Sequence, residues 1–169
     1  MPLELREHDP RWAACFDEVK SSLSPALGLY AVDIQHVGST SIAGIVAKPV
    51  IDVAVAIEGY PLPGEVLAAV EALGYTYWGE YGIPRRHLFF QRGGPVGYNI
   101  HINDLVNDQF QRHVLFRDYL RAHPDAAREY ERLKLELAAQ SDDVNAYADS
   151  KSEFVQGILR KAHLWREGR

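Results

Sequence analysis

Cysteine is nearly absent from the 169 residues, where Cys15 stands alone. One thiol forms no intrachain disulfide and builds no cysteine-rich zinc site. Long hydrophobic runs are missing too. A membrane-spanning helix needs about 20 apolar residues, and the best candidate, residues 50–57, is interrupted by Asp52. The opening MPLELREHDP has neither the basic flank nor the apolar core of a secretory leader, which predicts a cytoplasmic protein without a membrane partner. Excess positive charge is also lacking. The formal net charge is −5, which argues against nucleic acid as a partner. Common catalytic signatures fail as well. A P-loop starting at Gly38 breaks down because Ala43 stands where its second glycine belongs and no lysine follows Gly44. There is no G-x-G-x-x-G, H-E-x-x-H or G-x-S-x-G either, which leaves Rossmann, zincin and hydrolase readings unsupported.

What remains is an ordinary globular composition, 47% hydrophobic and 24% charged. The length suits one domain spanning residues 1–169. Charge is unevenly placed. Residues 1–109 carry 7 Lys/Arg against 13 Asp/Glu, whereas residues 110–169 carry 11 against 10. Between Lys20 and Arg85 the only cation is Lys48. Arg85, Arg86 and Arg92 then fall in a stretch without acids. A few such positions suffice for a small anion site in an acidic protein. Arg92 by itself reads as a surface residue.

Asp9-Pro10 signals a helix start, and Trp12, Phe16, Val19, Leu23 and Leu27 follow at helical spacing, with a kink or break expected at Pro25. Residues 30–37 alternate like a strand, and 50–57 read as a central strand. A helix is predicted over 64–73, ended by Gly74. Strands are predicted over 75–79, 87–92 and 98–103, the last two forming a hairpin through GGPVG. Helices are predicted near 108–122, 125–139 and 143–164, the second started by Pro124 and the third capped by Asp142/Asp143. The fold class is therefore α+β, a small mixed β-sheet flanked by helices with a helical C-terminal third.

Strand parity singles out Asp52. Ile51, Val53, Val55 and Ile57 share one face, whereas Val50, Asp52, Ala54 and Ala56 share the other. A buried carboxylate requires cations or hydrogen bonds. Over small alanines it suggests a hollow, as in a metal or ligand pocket; the alternative is an Asp that holds the preceding loop by its backbone. Gly38-Ser39-Thr40-Ser41 follows the first strand, where hydroxyls and backbone N–H groups can cradle phosphate oxygens or simply form a turn.

The stretch HVGSTSIAGIVAKPVIDVAV resembles the signature of the GrpB family, whose fold is similar to the nucleotidyltransferase superfamily. GEYGIPRRHLFF, the NIHI strand, FRDYLRAHP, YERLK and the Tyr147/Lys151 pair resemble that family too. The resemblance implies a Gly-Ser turn at Gly38 and Ser39 that grips nucleotide phosphates. It also implies Asp52 as the first of two carboxylates that hold divalent metal, Mg2+ or Mn2+. The second carboxylate position is Ala54, so two ions about 3.5–4 Å apart lack one of their usual ligands. GrpB-like segments also occur fused to dephospho-CoA kinase, which implies an association with coenzyme A metabolism.

The remaining candidates lie further along the chain. Asn99, His101 and Asn103 form a polar stripe on an apolar strand. His101 is a candidate metal ligand, phosphate donor or general acid/base, or else an ordinary polar residue of an edge strand. Arg86 suits bidentate contact with phosphate. Glu80 either orients that arginine, completes a metal site or is a surface acid. Lys151 interrupts an apolar helical stripe and is placed at the pocket rim, with Lys134 a weaker candidate at the same spacing from Tyr130. His36 reads as a core histidine, and His113, His123 and His163 as surface residues.

Three functions follow. The first is metal-dependent nucleotidyl transfer on a nucleotide or other phosphorylated small molecule, with Asp52, His101 and Lys48 catalytic. Gly38, Ser39, Thr40, Arg86 and Lys151 would hold phosphate, and Asp52, His101 and Glu80 would hold metal. The second is a non-catalytic module that binds a nucleotide or anionic metabolite. The third is a partner protein in coenzyme A metabolism.

Overall fold

The computed structural model describes residues 4–140 and 144–169, apart from the side chains of 144–147 and 150. The expected Asp142/Asp143 cap and the Tyr147 side chain lie outside the described residues.

Helix α1, Arg11–Leu27, begins where the Asp9 carboxylate accepts the Arg11 backbone N–H at 2.9 Å. Pro25 does not break it, because the helix ends at Leu27 and Gly28 turns the chain with φ 56°. Then follow β1 (Ala31–Val37), a one-turn 3-10 segment (Ser39–Ser41), β2 (Val50–Ile57), α2 (Gly64–Glu71), β3 (Thr76–Tyr77), β4 (Arg86–Gln91) and β5 (Gly97–Asp104). Helices α3 (Gln109–Ala122), α4 (Pro124–Gln140) and α5 (Val144–Glu167) complete the chain. The five strands form one sheet in the order β1-β2-β5-β4-β3. Only β2 and β5 pair in parallel; the other neighbours are antiparallel. The sheet is mixed, as its sequence pattern predicts, although β3 is shorter than expected.

The pleat separates two faces. Ile51, Val53, Val55 and Ile57 of β2, with Ile100, Ile102 and Phe89, are fully buried against Leu23 and Leu27 of α1 and Val70 of α2. Each such side chain stabilises the fold by about 1.5–3 kcal/mol. On the other face, Ala54 and Ala56 pack with Val37 and Phe110. The hollow expected over these alanines is therefore filled, because their small side chains let α3 lie close to the sheet. The open space is confined to the start of β2, where the Asp52 side chain remains 27% exposed. A third cluster joins Ile42 and Ile45 of the loop before β2 to Leu120 of α3, Tyr130 of α4 and Ile158 of α5. This cluster brings the C-terminal helices over the open end of the sheet. Among the described residues, no helix is long and apolar enough to cross a membrane.

Candidate functional site

Gly38 leaves β1 with φ +73°, a conformation that favours glycine. A Cβ there would lie 2.5 Å from Asp52 Oδ2, so the turn and the carboxylate approach this closely only with glycine at that position. The neighbouring hydroxyls are engaged in holding the loop. Thr40 donates to the Val50 carbonyl at 3.3 Å and accepts from His36 Nε2 at 2.9 Å. That geometry places the imidazole proton on Nε2. Ser41 donates to the Gly38 carbonyl at 2.5 Å. Ser39 hydrogen-bonds the Tyr130 hydroxyl, whose burial pushes its pKa up to about 12. From α3, Arg117 donates to the His36 carbonyl at 2.9 Å and Arg121 to the Ser41 carbonyl at 2.9 Å. The loop is therefore held from both sides.

Beside this turn lies a cavity of about 280 Å³. Ser39, Thr40, Val50, Asp52 and Asn99 line its floor, and Lys48, Arg92, Lys134 and Lys151 its walls. Lys134 is 2% exposed, donates to the Val46 carbonyl and lies 4.8 Å from the Tyr130 ring centre. Burial, followed by repulsion from Lys151, lowers its pKa to about 7. Burial also lowers Lys48, with Lys151 adding repulsion, and it lowers Lys151 against the attraction of Asp52. Four basic side chains thus share one small cavity with a single carboxylate.

That carboxylate is part of a chain of hydrogen bonds. Arg92 donates to Asn99 Oδ1 at 2.7 Å, Asn99 donates to Asp52 Oδ1 at 3.2 Å, and His101 Nε2 lies 3.1 Å from the same oxygen. Burial alone would raise the Asp52 pKa, but the His101 and Asn99 contacts hold it below its usual value. His101 packs on His113 with ring centres 4.9 Å apart. His113 is thus part of the site rather than a surface residue, and burial beside His101 keeps its pKa well below the usual imidazole value.

The structure brings together Gly38, Ser39, Thr40, Lys48, Asp52, His101 and Lys151 of the expected set. It does not bring Arg86 or Glu80 to them. Arg86 is buried, and its guanidinium donates to the Glu80 and Tyr81 carbonyls at 3.1 and 2.9 Å, so it braces a turn instead of lining the pocket. The exposed Glu80 accepts the Arg85 backbone N–H at 2.5 Å. Among the described residues, no three His, Cys, Asp or Glu side chains gather as a metal site would require.

Two wall residues were undervalued by sequence reasoning. Arg92, read as a surface cation, folds back across Gly97, where an added Cβ would meet its Cδ at 3.1 Å. The glycine closing the hairpin was the available signal. Lys134 was hidden by the usual tendency of a helical lysine to snorkel.

A family model described as GrpB protein matches residues 2–161. The chain belongs to the GrpB family. A solved GrpB structure from Enterococcus faecalis superposes with a TM-score of 0.84 at 34% identity, covering 94% of this chain and 96% of that one. The protein YqkA of Bacillus subtilis is 39% identical over 99% of this chain and 49% of its own length. The chain thus spans about half of that relative. A dephospho-CoA kinase of Mycolicibacterium paratuberculosis is 27% identical over 98% of this chain and 47% of its own length. The GrpB match therefore covers both the Gly-Ser turn and the helices that supply Lys134 and Lys151.

Proposed function

We propose that this GrpB domain binds a phosphorylated small molecule in the cavity beside Gly38. The observation that carries this reading is the convergence of Lys48, Arg92, Lys134 and Lys151 on one small cavity containing one carboxylate. Like charges gathered at partly buried positions repel one another, and a polyanionic ligand turns that repulsion into attraction. Arg92 supplies a guanidinium fork for phosphate oxygens, and the lysines supply compact point charges.

The donor set does not fit a two-metal carboxylate centre. Ala54 replaces the second acid, Glu80 lies elsewhere, and Asp52 and His101 hydrogen-bond each other. Nucleotidyl transfer remains a second reading. One feature favours it: Asp52 lies against the Gly-Ser turn at the start of a central strand, as the superfamily resemblance implies. The similarity to a dephospho-CoA kinase supports including coenzyme A precursors among the ligands.

Thermal unfolding tests both readings. Inorganic triphosphate, nucleoside triphosphates and dephospho-CoA are added with and without Mg2+. A ligand at 100 times its Kd adds about 2.7 kcal/mol of stability. The binding reading expects stabilisation without metal that is lost in Lys48→Ala and in Arg92→Ala. Stabilisation that requires Mg2+ and disappears in Asp52→Asn, with pyrophosphate released from a nucleotide, supports transfer. No shift with any phosphate sinks both.

A further inference from the structure

On the face of the sheet that bears Asp52, the cross-strand neighbours run Asp52, Asn99, Phe90 through β2, β5 and β4. Strands lie about 4.8 Å apart, so Phe90 sits roughly 10 Å from Asp52. Arg92 joins the middle of this row to its Phe90 end. Its guanidinium lies 5.8 Å from the Phe90 ring centre while donating to Asn99 and lining the cationic cavity. Beyond Phe90 the polar floor gives way to aromatic rings. Trp78 meets Phe90 edge-on with ring centres 4.3 Å apart, and Tyr81 lies 4.7 Å from Trp78. Trp78 is 47% exposed and Tyr81 63% exposed. Two large aromatic rings left open to water beside a polar pocket suit a ligand that is planar at one end and anionic at the other.

The fold holds this platform in place by unusual means. Tyr81 has φ +46°, a backbone conformation rare for a residue with a side chain. The buried Arg86 clamps the carbonyls of Glu80 and Tyr81, the Glu80 carboxylate holds the Arg85 N–H, and Asn107 donates to the Pro84 carbonyl at 3.1 Å. A turn needed only to connect strands does not require a buried arginine dedicated to its tip.

We infer that Trp78, Tyr81 and Phe90 form a stacking subsite for the planar ring of the ligand whose phosphates enter the cationic cavity. The inference rests on the phosphate-binding reading and adds a requirement for an aromatic or heteroaromatic ring roughly 10–15 Å from the Asp52 end of the pocket. Arg92 is the junction, with one face toward Phe90 and its donors toward the pocket floor.

Calorimetry of the whole chain with inorganic triphosphate and with ATP, GTP, CTP and UTP tests the subsite. Stacking of a base on an aromatic side chain is worth about tenfold or more in affinity. At least one nucleotide is expected to bind about tenfold tighter than triphosphate and to quench tryptophan emission. In Trp78→Leu that preference and the quenching both fall away, and Tyr81→Ala, at the more exposed ring, reduces the preference as well. Nucleotides that bind no tighter than triphosphate overturn the subsite and leave the phosphate pocket standing. A preference undiminished in both variants also overturns it. Failure of every phosphate compound to bind overturns the phosphate reading and this inference together. A concentration-dependent self-association abolished by Trp78→Leu, without any ring preference, assigns the platform to protein contact instead.

Discussion

At Lys134, burial and the Lys151 and Lys48 charges together outweigh the attraction of Glu131. The ammonium is enclosed between Tyr130 and the Val46 carbonyl, with Lys151 and Lys48 nearby, and its pKa falls to about 7. In the ligand-free protein at pH 8, Lys134 is therefore mostly neutral. Phosphate in the cavity favours the charged form, so binding at pH 8 is expected to take up protons. Calorimetry in two buffers of different ionisation enthalpy measures that uptake, and it should vanish in Lys134→Met. Gly38 makes the opposite demand, since the site needs an absent side chain rather than a charge. Gly38→Ala imposes a positive φ on a residue with a Cβ and drives that Cβ to 2.5 Å from Asp52 Oδ2. The expected loss of stability is roughly 2 kcal/mol, read as a lower urea midpoint. Phosphate affinity should fall with it, because the turn must retreat from Asp52.

Two elements are tied to their neighbours by neutral histidines. His36 of β1 stacks on Phe16 of α1 and donates from Nε2 to Thr40, linking helix, strand and phosphate turn. His87 of β4 accepts the Leu62 backbone N–H at Nε2, so its proton lies on Nδ1 and is donated to the Tyr77 hydroxyl at 2.6 Å. Protonation would leave the Leu62 N–H facing a second donor. Burial, joined by Arg121, lowers His36 to about 4, and burial lowers His87. The unfolded chain protonates these rings near 6.5, so between about 6.5 and 4 it binds more protons at His36 than the fold does, and His87 acts in the same direction. The contribution of these two imidazoles is therefore complete above about pH 7 and is lost as pH falls through that window. Asp52 and Asp104, held below the usual 3.8, add to the loss only at lower pH. Unfolding free energies from urea titrations at pH 7.5 and 5 are expected to differ by roughly 1–3 kcal/mol. His36→Phe, whose ring can keep the Phe16 contact, should reduce the difference.

At the scale of the whole molecule, residues distant in sequence meet at one end of the sheet. Lys48 and the Gly38 turn come from the strand region, Arg92 from the hairpin, and Lys134 and Lys151 from the two last helices. Charge is −5 overall and yet positive within this cavity, so the focusing of anions is local. Elements were legible in the sequence because each rests on local periodicity. The apolar parity of residues 50–57 and the helix-start signals at Asp9-Pro10 and Pro124 are short-range signals. Asp52 was legible for the same reason, as a carboxylate out of place on an apolar strand. Arg86 and Glu80 were misassigned because a sequence reveals that an arginine is available but not which carbonyls will claim it. The hollow over Ala54 was misplaced because small side chains admit either a ligand or a helix, and α3 took the space.

By itself the sequence determined the mixed α+β pattern and a carboxylate out of place at position 52, and its resemblance to the GrpB family added the Gly-Ser turn at position 38 and the missing second acid at position 54. The pattern and the carboxylate depend on neighbours within a few residues, or on the alternation of a single strand. Only the tertiary structure decided which cations face that carboxylate, why His113 joins the site, and where the aromatic platform stands relative to it. Those relations depend on how α4 and α5 fold back over the sheet and on the register that aligns Asp52, Asn99 and Phe90. Packing between distant segments sets both, and no local periodicity encodes it.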